Sequence, residues 1–355
     1  MTNQNNKPNQ TMILGAGGHG AISLATLFAT TNSNFYIYYN TSDWGGSYGL
    51  WGRLLEHNNS ELNKKLHSQI LPVLPFADPS KLINYYFERK GVSPRSFLDF
   101  RSDNPKEHLD KINQISTLLH FSAKYKQQFQ KYLCETLEYY SAQKTSLKYN
   151  KQFCIGYTVH SFIFWITGGI DGWNNFFHKI NVLPQNVFID FTAKNRQILV
   201  GNDLSLNECV GEDNIDNHTS PILPSSLHFE NINTTSNLKT PAPPKNQFIK
   251  NLQNSDWIII PNGSIANWLP VINYDEIKKN LINKKIIWLT NPYRNKNELI
   301  NPNYYLYFLE NNIQVMALAS KTTGHNKKFH NLLSQDKNGK YNTESIATEI
   351  SKIIT

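Results

Sequence analysis

Apolar and polar positions along this chain follow two rhythms. Short apolar runs stand at Met12–Gly15 (MILG), Asn34–Asn40 (NFYIYYN), Asp256–Ile260 (DWIII), Lys285–Leu289 (KIIWL) and Ile313–Ala319 (IQVMALA). Runs of this length, bounded by polar or Gly-rich segments, predict strands buried on both faces. A Gly-rich turn and a helical apolar stretch, Ala21–Ala29, separate the first two runs. Strand, Gly loop, helix, strand is the opening of a parallel sheet. The alternation returns near the other end, where Glu344–Ile354 predicts a closing helix. The pattern predicts an α/β chain: a Rossmann-like three-layer fold with a mostly parallel sheet and a helical insertion.

The middle of the chain keeps a helical rhythm. Asp78 followed by Pro79 predicts an N-cap and first-turn pair for a helix holding Leu82, Ile83, Tyr86 and Phe87. Residues Lys106–Lys148 read as helix, with Leu118, Leu119, Phe121, Tyr125, Phe129, Tyr132 and Leu133 forming an apolar stripe toward a core. Phe153–Ile180 predicts more helix, broken at Gly168–Gly169, in which His160 and His178 are core histidines. Val187–Thr192 and Gln197–Val200 flank Ala193–Arg196 and predict a hairpin. The segment from Asn202 to Lys245 is polar and holds Pro221, Pro224, Pro241, Pro243 and Pro244, which predicts an irregular insertion. The expected organisation is a disordered tail over residues 1–10 and a single Rossmann-like domain over 11–355. Its helical insertion covers about 100–150 and its polar insertion about 202–245.

Composition narrows the function classes. The chain has 355 residues, 39% hydrophobic and 17% charged, and its polarity comes mainly from Asn, Gln, Ser and Thr. The net charge is +8, but the lysines are scattered in small pairs such as Lys64–Lys65 and Lys327–Lys328. No basic stripe forms, so nucleic acid is not the expected partner, while a diffuse positive field favours a small anion. Cys134, Cys154 and Cys209 are far apart and odd in number, which indicates neither a disulfide framework nor a zinc site. The polar, Asn-rich start is no signal peptide, and the longest apolar run, Ser161–Thr167, is too short to span a bilayer. A cytoplasmic protein without membrane contact is expected. Nothing in the sequence decides between a monomer and a homo-oligomer.

Three polar loops follow predicted strands. The first is Gly15-Ala16-Gly17-Gly18-His19-Gly20, a G-x-G-x-x-G run between strand and helix. Glycines there let the backbone approach a phosphate, and the helix start offers free N–H donors. A tight turn without a ligand is the alternative. An acidic residue at the tip of the second strand would complete a dinucleotide site, but that strand ends in Asn40-Thr41-Ser42. The second loop continues as Asp43-Trp44-Gly45-Gly46-Ser47-Tyr48-Gly49. Its carboxylate, Asp43, suits either a divalent cation, a substrate hydroxyl or its own backbone turn. The third loop, Pro261-Asn262-Gly263-Ser264, offers a second anion cradle or a simple N-cap at Ser264. Open α/β sheets bind ligands where such loops gather, at the carboxyl ends of their strands. There is no G-x-x-x-x-G-K-[ST], no G-x-S-x-G and no H-E-x-x-H.

In their order along the chain these loops resemble one family, the 2-phospho-L-lactate transferases (CofD) and their YvcK-type relatives. Those proteins open with a strand and a Gly-rich loop, then carry an acidic turn that in the YvcK branch continues Gly-Gly-Ser-Ser-Gly. Ser42-Asp43-Trp44-Gly45-Gly46-Ser47-Tyr48-Gly49 is similar to that branch. Leu74-Pro75-Phe76-Ala77-Asp78 is similar to the family's Pro-Pro-Gly-Asp segment, and Ile155–Phe177 to its apolar helix. Asn186–Asn202 is similar to the family's hairpin, and Pro261-Asn262-Gly263-Ser264 to its Gly-Pro-Gly-Ser loop. Three positions depart: His19 replaces the loop Thr, Trp44 the second Asp, and Pro261 the first Gly of the late loop.

The resemblance implies a nucleotide or nucleotide-sugar ligand, with Gly15, Gly17, Gly18, His19 and Gly20 around its phosphates. Asp43 and Ser47 would meet sugar or metal, Gly263 and Ser264 would close the site, and Asn40, Ser42, Gly45, Gly46, Asp78 and Asn262 would add further ligand contacts. Mg²⁺ would bind at Asp43 only together with a phosphate ligand, since a lone carboxylate leaves most of an octahedral shell to phosphate and water. Three function classes stay open. One is a YvcK-like binding protein. Another is a CofD-like transferase that moves a phosphate-linked group to an acceptor hydroxyl, with Asp43 catalytic. The last is a scaffold whose pocket has decayed.

Overall fold

The computed structural model describes residues 9–14, 18–40, 77–93, 98–147, 152–193, 197–232, 239–241, 244–282, 284–289, 315–318, 329–330 and 342–354. In chain order the first elements are β1 (Gln10–Leu14), α1 (Gly18–Ser23), α2 (Ala25–Thr30), β2 (Asn34–Tyr39) and α3 (Ala77–Arg89). There follow β3 (Arg101–Ser102), α4 (Pro105–Leu109), α5 (Ile112–Leu118), α6 (Ala123–Leu147), β4 (Phe153–Cys154), α7 (Ile155–Ile166) and α8 (Ile170–Lys179). Next come β5 (Val187–Phe191), β6 (Gln197–Asn202), β7 (Glu208–Val210), α9 (Glu212–Asp216), β8 (His228–Ile232) and β9 (Lys239–Pro241). The last are α10 (Asn246–Asn254), β10 (Trp257–Ile260), α11 (Ile265–Ile272), α12 (Asp275–Leu281), β11 (Lys285–Leu289), β12 (Val315–Leu318), β13 (Phe329–His330) and α13 (Thr343–Ile354).

The chain divides into two compact units, one of residues 1–42, 184–233 and 237–355 and the other of residues 43–183 and 234–236. The helical unit is therefore longer than the 100–150 insertion read from sequence.

The first unit is built on a seven-stranded sheet of order β13-β12-β11-β10-β1-β2-β5. Every pairing in it is parallel. Its central strands are apolar on both faces: in β10 all of Trp257–Ile260 is buried, and in β1 all of Thr11–Leu14. Parallel strands need such runs because crossover helices cover both sides. One covering layer holds α1, α2 and α13, where Thr26 Oγ1 donates to Thr343 Oγ1 at 3.1 Å. The other holds α10, α11 and α12, whose Phe248, Leu252, Trp268, Leu269, Ile277 and Leu281 pack with Met12, Leu14, Ile258, Ile260 and Trp288. Trp268 meets Trp288 edge-on with ring centroids 5.1 Å apart, and Tyr38 meets Phe248 at 4.8 Å. A four-stranded antiparallel sheet, β7-β6-β8-β9, completes this unit.

Two expectations are corrected here. Val187–Thr192 and Gln197–Val200 do not form a hairpin: β5 pairs parallel with β2, while β6 pairs antiparallel with β7 and β8. Closeness in sequence suggested the hairpin, but β5 extends the parallel sheet beside β2, where Ile37 pairs with Ile189. The polar stretch after Asn202 is likewise not irregular throughout, because it supplies β7, β8 and β9. These strands hold three to five residues each and Pro241 ends an edge strand, so no long alternation marks them.

The second unit is helical. Of the stretch read as helix, residues 106–147 fall in α4, α5 and α6, with His120 at φ 53° turning the chain between the last two. Of the predicted stripe, Leu119, Phe129, Tyr132 and Leu133 are buried, while Tyr125 is exposed. Phe129 and Tyr132 stack around Phe162 of α7, at 5.2 and 5.6 Å. Gly156 lets the start of α7 touch the preceding chain, since a Cβ there would lie 2.2 Å from the Leu98 carbonyl oxygen. His160 and His178 are core histidines as expected; the His160 ring lies 5.6 Å from Trp173 and 5.5 Å from Phe177. Burial pushes its imidazole down to about 3.

Candidate functional site at the switch point of the sheet

From β1 the chain proceeds to β2 and then β5 on one side of the sheet, whereas β10 leads to β11, β12 and β13 on the other. The strand order therefore reverses between β1 and β10, which are paired in register, Met12 with Ile258. At such a reversal the two outgoing connections leave for opposite faces and a crevice opens beyond the carboxyl ends of the strands. The first and third predicted loops leave from these two strands, and Asn40 leaves from the neighbouring β2.

The start of α1 and the late loop touch. A Cβ on Gly20 would stand 2.5 Å from the Asn262 carbonyl oxygen and 3.0 Å from Pro261 Cβ, so only glycine permits this approach. Ser23 reinforces it: its Oγ lies 2.6 Å from Asn262 Oδ1 and 2.6 Å from the Gly20 carbonyl oxygen. On its other flank the late loop is held by α9, because Ser264 Oγ donates to Asp216 Oδ1 at 2.9 Å. Four residues thus span the distance between a Gly-rich helix start and a carboxylate.

Of the predicted site residues, Gly18, His19 and Gly20 are the first three of α1, and Asn262, Gly263 and Ser264 link β10 to α11. Asn40 is buried directly after β2. Gly15, Gly17, Ser42, Asp43, Gly45, Gly46 and Ser47 lie outside the described residues. Asp78 belongs to the helical unit. It is inside the first turn of α3 rather than its N-cap, and its Oδ1 accepts from Lys81 Nζ at 3.0 Å.

Sequence reasoning missed Ser23, Asp216, Asp190 and Lys245. Ser23 stands one helical turn after Gly20, a spacing that could have flagged it. Asp216 lies in the stretch read as irregular, where nothing marked it. Asp190, next to last in β5, is ion-paired with Lys245, and both are largely buried. The Lys245 amide also donates to the Thr192 carbonyl at 2.9 Å, tying the start of α10 to the end of β5. That lysine serves the fold rather than a ligand. Gly18–Gly20, Asn40 and Pro261–Ser264 contain no Lys or Arg. Among the described residues no group of three or more His, Cys, Asp or Glu could hold a metal. No helix among them is long and apolar enough to cross a membrane.

Comparison of the sequence with protein-family models and with curated proteins returns no match. Comparison of the fold does. Two crystal structures of protein BH3568 from Bacillus halodurans match 97% of this chain and 100% and 99% of their own, each with a TM-score of 0.59. Their sequence identities are 13% and 14%, and one of them is described as a member of the UPF0052 family. At that identity the likeness is one of architecture: this chain has the α/β fold of a UPF0052-family protein over nearly its whole length.

Proposed function

We propose that the protein binds a phosphate-bearing ligand, a nucleotide or nucleotide sugar, in the crevice between β1 and β10. The observation that carries this reading is the seating of Gly20 on Asn262 at the switch point of a parallel sheet. The start of α1 is then next to a second loop, and a helix start offers backbone N–H groups to a phosphate. UPF0052 is the CofD/YvcK family, so the fold likeness to BH3568 supports a divergent membership and, with it, the YvcK-like binding role. Ligand screening by thermal shift with nucleotides, nucleotide sugars and dinucleotides, with and without Mg²⁺, tests it. A folded Gly17→Val variant is expected to lose the stabilisation the wild type gains, because a side chain would occupy the phosphate's place. Equal shifts in both proteins would refute the proposal.

The second reading is a CofD-like transferase. The same fold likeness favours it, and Asp43 is the residue on which it depends. Its chemistry would lie in positioning a diphosphate and an acceptor hydroxyl and in neutralising charge. Trp44 in place of a second carboxylate favours the binding role.

A further inference from the structure

We propose that a cavity at the end of α11 remote from the late loop is a second ligand site, one for an uncharged molecule with adjacent hydroxyl groups, a sugar or polyol. The cavity lies within the first unit, between the segment Ser225–His228 and the last turn of α11 with Asn273 and Tyr274. Its volume is about 400 Å³, inside the range of about 300–1,000 Å³ that small-molecule sites occupy. α11 has eight residues, which makes it about 12 Å long, and it lines the cavity at Pro270. None of the lining residues belongs to the loops at the β1/β10 crevice.

The walls are braced from within. Asn273 Nδ2 donates to the Pro224 and Leu227 carbonyl oxygens, both at 2.8 Å. Ser226 Oγ accepts from the Asn202 amide at 2.8 Å and donates to the Leu223 carbonyl oxygen at 2.8 Å. The ring nitrogens of His228 lie 2.7 Å from the Ser226 carbonyl oxygen and 3.2 Å from Glu230 Oε1. The Tyr274 hydroxyl bonds to the Phe229 backbone. Two lining side chains remain. The Asn202 carboxamide and the Ser225 hydroxyl make no hydrogen bond to any described residue. Both groups donate and accept, and so does every hydroxyl of a sugar, so two adjacent hydroxyls satisfy them in both directions. A phosphate or carboxylate only accepts, and no Lys, Arg, Asp or Glu lines the cavity to offset a charge. Leu227, Pro270 and Tyr274 add apolar surface for the C–H groups of a ring.

Ligand-observed NMR on the full chain tests this with glucose, galactose, mannose, N-acetylglucosamine and myo-inositol, set against glucose 6-phosphate and glucuronate. Wild type is expected to bind at least one neutral probe. Asn202→Ala and Ser225→Ala are each expected to weaken that binding about three- to tenfold, the size of a lost hydrogen bond. Any binding of the two charged probes should be the same in wild type and variants. Circular dichroism and an unchanged thermal midpoint show that both variants are folded, as expected for side chains that brace nothing. Equal affinity of wild type and both variants for the neutral probe would place it elsewhere and overturn the inference. Charged probes weakened as much as the neutral one would mean that an anion lies in the cavity, which overturns it as well. So would failure of every neutral probe to bind. None of these results touches the nucleotide reading, which thermal shift with nucleotides tests separately.

Discussion

The carbonyl oxygen of Asn262 lies 2.5 Å from where a Cβ on Gly20 would be, which brings the start of α1 and the late loop, 242 positions apart in the chain, into contact. The obstacle is backbone, with Pro261 behind it, so no side-chain rotation relieves the clash. Gly20→Ala is therefore expected to destabilise the protein by about 1–3 kcal/mol, the range for overpacking a close contact. It should also weaken nucleotide binding, since the late loop must shift. Urea denaturation measures the first effect and calorimetry the second. Unchanged stability would mean that the two loops do not approach in solution.

The metal question turns on Asp43. Mg²⁺ is expected to bind only with a phosphate ligand, which would complete its octahedral shell with water. Calorimetry with Mg²⁺ alone should give no heat of binding, and Mg²⁺ with the best nucleotide should. In a transferase, Asp43→Asn would cut turnover strongly with modest loss of nucleotide affinity, because charge matters most in the transition state. In a binding protein it would change affinity slightly. Tight Mg²⁺ binding in the absence of nucleotide would contradict this account.

Acid should weaken the helical unit through His160. An unfolded histidine takes up its proton near pH 6.5, whereas the folded ring, held down to about 3, does not. Above about pH 6.5 both states are neutral and the residue contributes no pH dependence. Below it the unfolded chain gains a proton the folded one lacks, and stability falls by up to about 1.4 kcal/mol per pH unit. Burial lowers His108 as well, which acts in the same direction. His160→Gln should flatten the slope of unfolding free energy between about pH 6.5 and pH 4. An unaltered slope would rule His160 out as a source of acid sensitivity.

Leu206 holds a left-handed backbone, φ 63°, at the tip of the β6–β7 turn and is 71% exposed. The turn is fixed by Asp203, whose Oδ1 accepts from the Ser205 and Asn207 amides at 2.8 and 2.9 Å. The Asn207 side-chain amide, which donates to Oδ2 at 3.1 Å, holds its carboxyl below the usual range, with the backbone amides acting in the same direction. A leucine in this conformation is strained by about 1 kcal/mol, and little burial offsets it. Leu206→Gly is expected to raise the thermal midpoint, by the equivalent of about 0.5–1 kcal/mol. A lower midpoint would mean that the leucine side chain stabilises the turn.

Some of this protein was decided by local pattern alone. Apolar runs such as Trp257–Ile260, short and bounded by polar segments, fit strands buried on both sides, and a strand, a Gly-rich turn, an apolar helix and a second strand in that order point to a parallel crossover. Most strands of the parallel sheet and most of the helices were thus legible in the residues themselves, whereas the short strands of the antiparallel sheet were not. The destination of each strand was not. Val187–Phe191 and Gln197–Asn202 are near neighbours in sequence, yet they enter different sheets, because the backbone edge a strand pairs with is set by the tertiary fold and not by local rhythm. The same holds for the site. Gly20 and Asn262 become neighbours only because β1 and β10 pair at the reversal of strand order. Asp216 reaches Ser264 only because the segment after β7 folds back against the start of α11. A carboxylate's role is set by what lies within hydrogen-bond reach, and for residues 48 positions apart that distance exists only in the folded chain.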